Sequence, residues 1–292
     1  MRFAFIDAEK AHHSVRTLCR VLQVSKSGYY THLRRAPSRR KREDDALKVR
    51  ITTIHEQSGR TYGSPRVHKQ LRHDDFEVGR DRVARLMREL QRCGTPKRRY
   101  RCTTDSDHDA PVAPNLLQRD FEAKRPNRRW VTDITYVWTS QSWMYLAVVM
   151  DLFSRRVVGW AMRPHLQAEL ALGALRMALG RRAPEPGLVH HSDRGVQYAA
   201  HAYQNVLHQH GIVCSMSRKG DCWDNAVVES FFARLKTELL HRQSWRTGRQ
   251  VQDAVARYIE GWYNPHRLHS SLGYLSPNQF EQRHFVNQAQ AA

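Results

Sequence analysis

Long apolar runs are missing from this 292-residue chain. No stretch approaches the roughly 20 residues that a membrane-spanning helix needs. The opening residues, Met1 to Lys10, hold no apolar signal core, so neither membrane residence nor export is expected. Cysteine is scarce as well. Cys19, Cys93, Cys102, Cys214 and Cys222 are odd in number, irregular in spacing and never form a Cys-x-x-Cys pair. That argues against a disulfide framework and a zinc ribbon, and fits a reducing cytoplasm. None of the 17 histidines falls into zinc-ligand spacing, and His12-His13 with Cys19 is a poor imitation of a zinc module. Internal repeats and sustained heptads are missing too, so neither a solenoid nor a zipper is indicated.

Negative charge is the other shortage. Asp and Glu number 28 against 48 Lys and Arg, a net charge of +20. The excess is concentrated: residues 1–129 carry 31 basic and 16 acidic side chains, residues 130–292 carry 17 and 12. Such a field attracts polyanions, and the predominance of Arg suits phosphate through its planar fork. Nucleic acid is the expected partner and a nucleoid-associated protein the expected setting; a merely soluble basic protein is the bland alternative.

Helical periodicity dominates the first hundred residues. Ser14 is placed to cap a helix with Val15, Leu18, Cys19 and Leu22 inward, and Ser27 to Leu33 predicts a second. The two resemble a helix-turn-helix or a plain αα-hairpin. Arg34 to Arg42 reads as an exposed basic linker. Leu47, Ile51 and Ile54 mark a helix over residues 44–57. Ser64-Pro65 offers an N-cap and a first helical residue for the next, with Val67 and Leu71 inward. Val83, Leu86, Met87 and Leu90 mark a third, whose outer face shows Arg82, Arg85, Arg88 and Arg92. That arginine stripe suits a DNA groove or backbone; its alternative is a solvated face in a small bundle. Residues 94–125 read as a linker, and Lys97 to Arg101 and Arg125 to Arg129 are basic portions expected near nucleic acid.

At Trp130 the pattern changes. Val131 to Trp138 alternates in the manner of a strand, Trp143 to Met150 is a continuous apolar run, and Val157 to Met162 is a third strand, together an antiparallel meander. Leu166 to Leu179 predicts a helix, Leu188 to His191 a short buried strand, Ala202 to His210 a helix and Ile212 to Met216 a strand. A last helix over Cys222 to Leu240 turns Val228, Phe232, Leu235 and Leu239 inward. The order β-β-β-α-β-α-β-α is that of an α/β, RNase H-like core: a mixed five-stranded sheet with flanking helices, here preceded by small all-α, helix-turn-helix-like modules. Thr247 to Gln250 predicts a capping box for a helix burying Val251, Ala254, Val255, Tyr258, Ile259 and Trp262. Tyr263 to Pro277 reads as an irregular aromatic tail, with His266, Arg267 and His269 as basic surface.

Glu229 and Lys236 sit seven residues apart, on one stripe of the Cys222–Leu240 helix. Taken alone they read most simply as a solvated pair. On the predicted topology, however, Asp133 lies in the first strand, Asp193 just after the fourth, and Glu229 in the helix after the fifth. Three converging carboxylates repel one another. Hard divalent cations, Mg²⁺ or Mn²⁺, would relieve that repulsion, and two of them roughly 3.5–4 Å apart clamp an in-line phosphoryl displacement. Asp151 is a fourth acid, read as a strand end or a partner of Arg155. His190 and His191 read as packed strand-end histidines. Trp223 and Asn225 could equally shape the helix start or meet DNA.

Three stretches carry a resemblance: Trp130-Val131-Thr132-Asp133-Ile134-Thr135-Tyr136, His191-Ser192-Asp193-Arg194-Gly195-Val196-Gln197-Tyr198, and Asp224-Asn225-Ala226-Val227-Val228-Glu229-Ser230-Phe231-Phe232 with Lys236. They look like the DDE signature of the retroviral-integrase-like superfamily, and the 35 residues between Asp193 and Glu229 match its spacing. More narrowly, Thr61-Tyr62-Gly63, Ala84 to Leu90, Tyr263-Asn264, Arg267, His269, Leu272-Gly273-Tyr274 and Ser276-Pro277 resemble the second-frame (OrfB) transposases of the insertion-sequence-3 family. The resemblance implies a metal-dependent enzyme that nicks an element end and joins the freed 3′-hydroxyl to another phosphodiester. By match, Asp133, Asp193 and Glu229 would be the catalytic metal ligands, for two Mg²⁺ or Mn²⁺ ions, and Lys236 would touch the DNA end.

The implied partners are double-stranded DNA (terminal repeats and target), a first-frame (OrfA) protein or fusion, and further copies of the chain on DNA. Rival readings are a nuclease that does not join and a non-catalytic DNA-binding regulator. The expected division is an N-terminal helical segment with basic linker (1–42), a helix-turn-helix-like module (43–93), a linker (94–125), the DDE core (126–245), and a C-terminal helix and tail packed on the core (246–292).

Overall fold

The structure is a computed structural model and describes residues 2–96, 113–218 and 225–291. Its centre is a five-stranded sheet of β1 (Arg129–Trp138), β2 (Trp143–Asp151), β3 (Val157–Arg163), β4 (Val189–Ser192) and β5 (Val213–Met216), in the order β3-β2-β1-β4-β5. The first three strands pair antiparallel, whereas β4 joins β1 and β5 joins β4 in parallel. This is the mixed sheet expected from the meander followed by strand–helix alternation.

The two faces of the sheet hold separate cores. On one, α7 (Ala168–Arg182) lies over β2 and β3, and α8 (Val196–Ala199) and α9 (His201–Gln209) complete a cluster with Trp130, Ala147 and Val149. On the other, α10 (Ala226–Glu238) and α11 (Gly248–Ala256) pack Val228, Phe231, Phe232, Leu235, Val251 and Val255 against Val131, Val137 and Val148. The alternation of β1 assigns Val131 and Val137 to the α10 side and Trp130 to the α7 side.

Ahead of the sheet, α1 (Arg2–Glu9), α2 (Val15–Val21) and α3 (Lys26–Arg34) share a small cluster around Ile6, Leu18, Cys19 and Tyr29. Ser14 and Ser25 cap α2 and α3 through their side-chain oxygens. A second cluster joins α4 (Arg39–Gln57), α5 (Ser64–His73) and α6 (Arg80–Glu89). Among the described residues no helix is long and apolar enough to cross a membrane.

Several elements differ from expectation. Periodicity missed α1, because eight residues with one buried side chain, Ile6, leave no stripe to read. Arg39 to Arg42 are not linker but the first turn of α4, capped by Ser38. Gly63, not Ser64, is the N-cap of α5, so Pro65 takes the second helical position. Leu166 is exposed and precedes α7. α10 starts at Ala226, and Leu239 is its partly buried C-cap. The helix after Thr247 ends in a π-helical stretch, Arg257–Tyr263, which buries Tyr263 and leaves Trp262 only partly covered. The tail ends in a further helix, α12 (Pro277–Ala291). The linker is anchored at points from residue 113 onward: Leu117 is buried in the α10-side core, and the Leu116 amide donates to the Ser215 hydroxyl (2.9 Å). Lys97 to Arg101 lie outside the described residues.

Candidate active site

Strand register brings the two aspartates together. β4 pairs with β1 over Arg129↔Val189, Trp130↔His190 and Val131↔His191. Asp133 and Asp193 each lie two residues past the last of these pairs, where the chain of β4 leaves the sheet. Equal steps along two parallel strands arrive side by side, since neighbouring strands run about 4.8 Å apart. The place is the carboxyl end of β4 beside the middle of β1, at the point where the sheet changes from antiparallel to parallel, the kind of crevice in which α/β folds bind ligands. Asp133 Oδ1 accepts from the Ile134 amide (2.7 Å), and Asp193 Oδ1 from the Gly195 amide (3.0 Å). The Arg194 Nε donates to the Ser217 carbonyl at 2.8 Å and ties the Asp193 loop to the end of β5.

The third acid arrives on α10. Asn225, almost fully buried, donates from Nδ2 to the Thr132 carbonyl (3.1 Å), which moors the start of the helix on β1 next to Asp133. The apolar face of α10 fixes its rotation, so Glu229 in the first turn and Lys236 two turns later share the half-buried side. A carboxylate in the first turn also complements the helix dipole.

Electrostatics joins the four residues. Burial pushes the Asp133 carboxyl well above the ordinary range; the charge of Asp193 adds to the rise and that of Glu229 adds less, while Lys236 opposes it. Burial alone raises Glu229. Burial lowers Lys236, against the pull of Asp133. Each of the three carboxylates has hard oxygens of the kind that suit a divalent cation, and Asp133 is kept in a place where negative charge is costly. Among the described residues no three His, Cys, Asp or Glu side chains converge closely enough to hold a metal. Asp193 acts on Asp133 more strongly than Glu229 does.

The comparisons with known proteins decide the family. An HTH-like domain family matches residues 42–100, and integrase core domain families match residues 123–222 and 210–277. The transposase InsF for insertion sequence IS3A of Escherichia coli (strain K12) is 40% identical over 288 residues, 98% of this chain and all of that protein.

The chain belongs to the insertion-sequence-3 transposases.

An uncharacterized 31 kDa protein of insertion element IS600 from Shigella sonnei is 43% identical over 91% of this chain and 98% of its own length. Among solved structures, the catalytic core of BIV integrase covers 56% of this chain and 99% of its own, at 19% identity and a TM-score of 0.43. By its integrase core domains and its InsF relative, the transposase is an integrase-type, DNA phosphoryl-transferring enzyme of an insertion sequence.

Other residues singled out from the sequence fall elsewhere. On the α6 stripe, Arg82 and Arg85 both bind the nearly buried Asp44 of α4 (2.7 Å each), and Arg92 binds Glu56 (3.2 Å). Three of the four arginines hold the bundle together, and Arg88 is the exposed one. Asp151 is fully buried, accepts from the Asn127 and Phe153 amides (2.8 and 2.9 Å), and meets Arg182 rather than Arg155. Arg128 and Arg129 pair with Glu185 and Asp120. His190 and His191 are packed as expected, against the hydroxyls of Tyr203, Ser215 and Ser217. Arg267 overturns the reading of basic surface: it is 2% exposed and grips Glu238 with two hydrogen bonds of 2.9 and 2.6 Å. Trp223 lies outside the described residues. Asn225 shapes the helix start, a role its position before Glu229 had left open.

Proposed function

We propose that Asp133, Asp193 and Glu229 are the catalytic carboxylates of this transposase, that they hold two Mg²⁺ or Mn²⁺ ions, and that Lys236 touches the DNA end beside them. The observation that carries the reading is the register of β1 and β4, which sets Asp133 of β1 beside the end of β4, supported by the raised Asp133 carboxyl. When bound, such ions supply Lewis-acid charge to the attacking and departing oxygens of a phosphodiester. The chain's own part is placement. Asn225 and the apolar face of α10 set the position of Glu229, while the Ile134 and Gly195 amides orient the two aspartates. Lys236 lies 5.5 Å from the centre of the Tyr136 ring and directs positive charge toward the scissile strand. Water opens the phosphodiester at an element end, and the freed 3′-hydroxyl attacks target DNA in the same way, with no covalent bond to the protein.

The chain would work in the cytoplasm on the nucleoid, in more than one copy, with a first-frame protein or fusion supplying further contacts to the terminal repeat. Arg88, on the exposed face of α6, is the member of the stripe best placed to add to DNA contact. The division at residues 42, 93, 125 and 245 is part of the same proposal.

Purified protein, Mg²⁺ or Mn²⁺ and a labelled element end test the reading. Joined products are expected. Cleavage without joining would favour a nuclease, and binding alone a regulator. Asp193→Asn is expected to abolish both steps and leave DNA binding intact; turnover in that variant sinks the assignment.

A further inference from the structure

Arginine gathers on another side of α10. Arg234 lies five positions after Glu229, about 140° around a helix of 3.6 residues per turn. On that side a half-open cavity of about 280 Å³ is lined by Arg66 of α5, Arg155 of the β2–β3 turn, Arg234 and Ser230 of α10, and Arg267 and His269 of the tail. Glu238 neutralises Arg267. The other three guanidiniums have no carboxylate within ion-pairing distance among the described residues. Arg66 spends its Nε on the Leu268 carbonyl and lies over the Tyr62 ring; Arg155 spends one nitrogen on the Phe121 carbonyl. The remaining Arg155 Nη1 and the His269 Nε2 are buried without a hydrogen-bond partner. Burial lowers the His269 imidazole far below its ordinary value, and the charges of Arg267, Arg66, Arg155 and Arg234 lower it further, so these cations act on one small volume.

Gathering like charges in a half-buried space is unfavourable unless an anion completes it. The lining offers guanidinium forks and serine hydroxyls, the donor set that suits a tetrahedral anion with acceptors on every side. A volume just under the roughly 300 Å³ of small-ligand pockets admits a phosphate with its sugar and excludes a duplex. We propose that the cavity is a phosphate site, in which Arg66, Arg155 and Arg234 hold one phosphate of a DNA strand. The choice of DNA as the source rests on the strand-transfer reading above; the phosphate chemistry does not.

The test uses the full chain in chelator, so that binding is read without turnover. Affinity for a labelled duplex is measured by fluorescence anisotropy across a salt series for wild type, Arg155→Gln/Arg234→Gln, Ser230→Glu and, as a control on exposed charge, Arg283→Gln. The double variant is expected to bind about three- to tenfold more weakly, and its plot of log affinity against log salt to flatten by about one unit, the signature of one lost phosphate contact. Ser230→Glu, which puts a carboxylate among the guanidiniums, is expected to weaken DNA binding while keeping or raising the melting temperature. A merely structural role for the arginines does not produce that combination. Inorganic phosphate at constant ionic strength should raise the melting temperature of the wild type more than that of the double variant.

The proposal is overturned if both pocket variants bind DNA with unchanged affinity and slope, or if Arg283→Gln loses as much. It is overturned as to source if the double variant loses only its response to inorganic phosphate. Weaker binding by the pocket variants alongside a wild type that never joins DNA would keep the phosphate site and remove the strand-transfer reading.

Discussion

Asp133 sits where a carboxylate is costly. Burial and the charge of Asp193 raise it well above its unfolded value, so between the two values the folded state holds the proton more tightly. In that window stability falls as pH rises, and at neutral pH the ionised group is a net cost to the fold. Asp133→Asn is therefore expected to abolish DNA joining and to raise the melting temperature at pH 7. The gain should shrink as pH is lowered toward 4; thermal melts of both proteins over that range check it, and equal shifts at all pH values count against it. A site that loses activity and gains stability on neutralisation is one held in place against its own electrostatics. The buried His190 differs: burial first, and the charge of His191 second, lower its imidazole to about 3, so it stays neutral and serves packing.

Elements meet at distances that small residues set. On β3, Gly159 faces α7 so closely that a Cβ there would overlap the Ala174 carbonyl oxygen and stand 2.7 Å from the Ala178 nitrogen. Backbone cannot yield as a flexible side chain can, so Gly159→Ala must push the helix off the sheet. We expect a loss of about 1–3 kcal/mol or more, read from urea unfolding. The α6 stripe shows the opposite limit. Its period set Arg82 and Arg85 apart from the apolar face, on what read as an outer face, yet both turn to Asp44, about 40 residues upstream on α4. A helix-face argument has no access to what a neighbouring helix presents.

Across the whole molecule the tail acts as a clasp. The Asn264 amide exchanges two hydrogen bonds with the backbone of Val157 (3.0 and 2.9 Å), continuing the edge of β3. Glu281 of α12 binds Ser154, Arg156 and Arg182, which tie the end of the chain to the β2–β3 turn and α7. The Leu268 amide donates to the Tyr62 hydroxyl (2.7 Å), and Leu268 itself belongs to the α4–α6 core, so Thr61-Tyr62-Gly63 joins the helical module to the tail. Arg267 and Glu238 stand at the centre of this junction. Arg267→Met strands a buried carboxylate and is expected to cost about 3–5 kcal/mol, while Arg267→Met with Glu238→Leu recovers most of it. Denaturant unfolding of the two variants measures both; equal losses would show that the tail is held by something else.

What the sequence determined by itself was what local period and spacing encode: five strands and the main helices, the meander followed by alternation, and the elements on or beside which the three acids lie. Alternation and the 3.6-residue repeat are properties of neighbours along the chain, and they survive without knowledge of the fold. Tertiary structure alone decided the partners: Asp44 for the α6 arginines, Arg182 for Asp151, Glu238 for Arg267, and Thr132 for Asn225. Each of these is a polar side chain whose role depends on a group far away in the chain. Burial then makes the choice, because a charge or amide removed from water must find its complement in whatever the fold brings beside it.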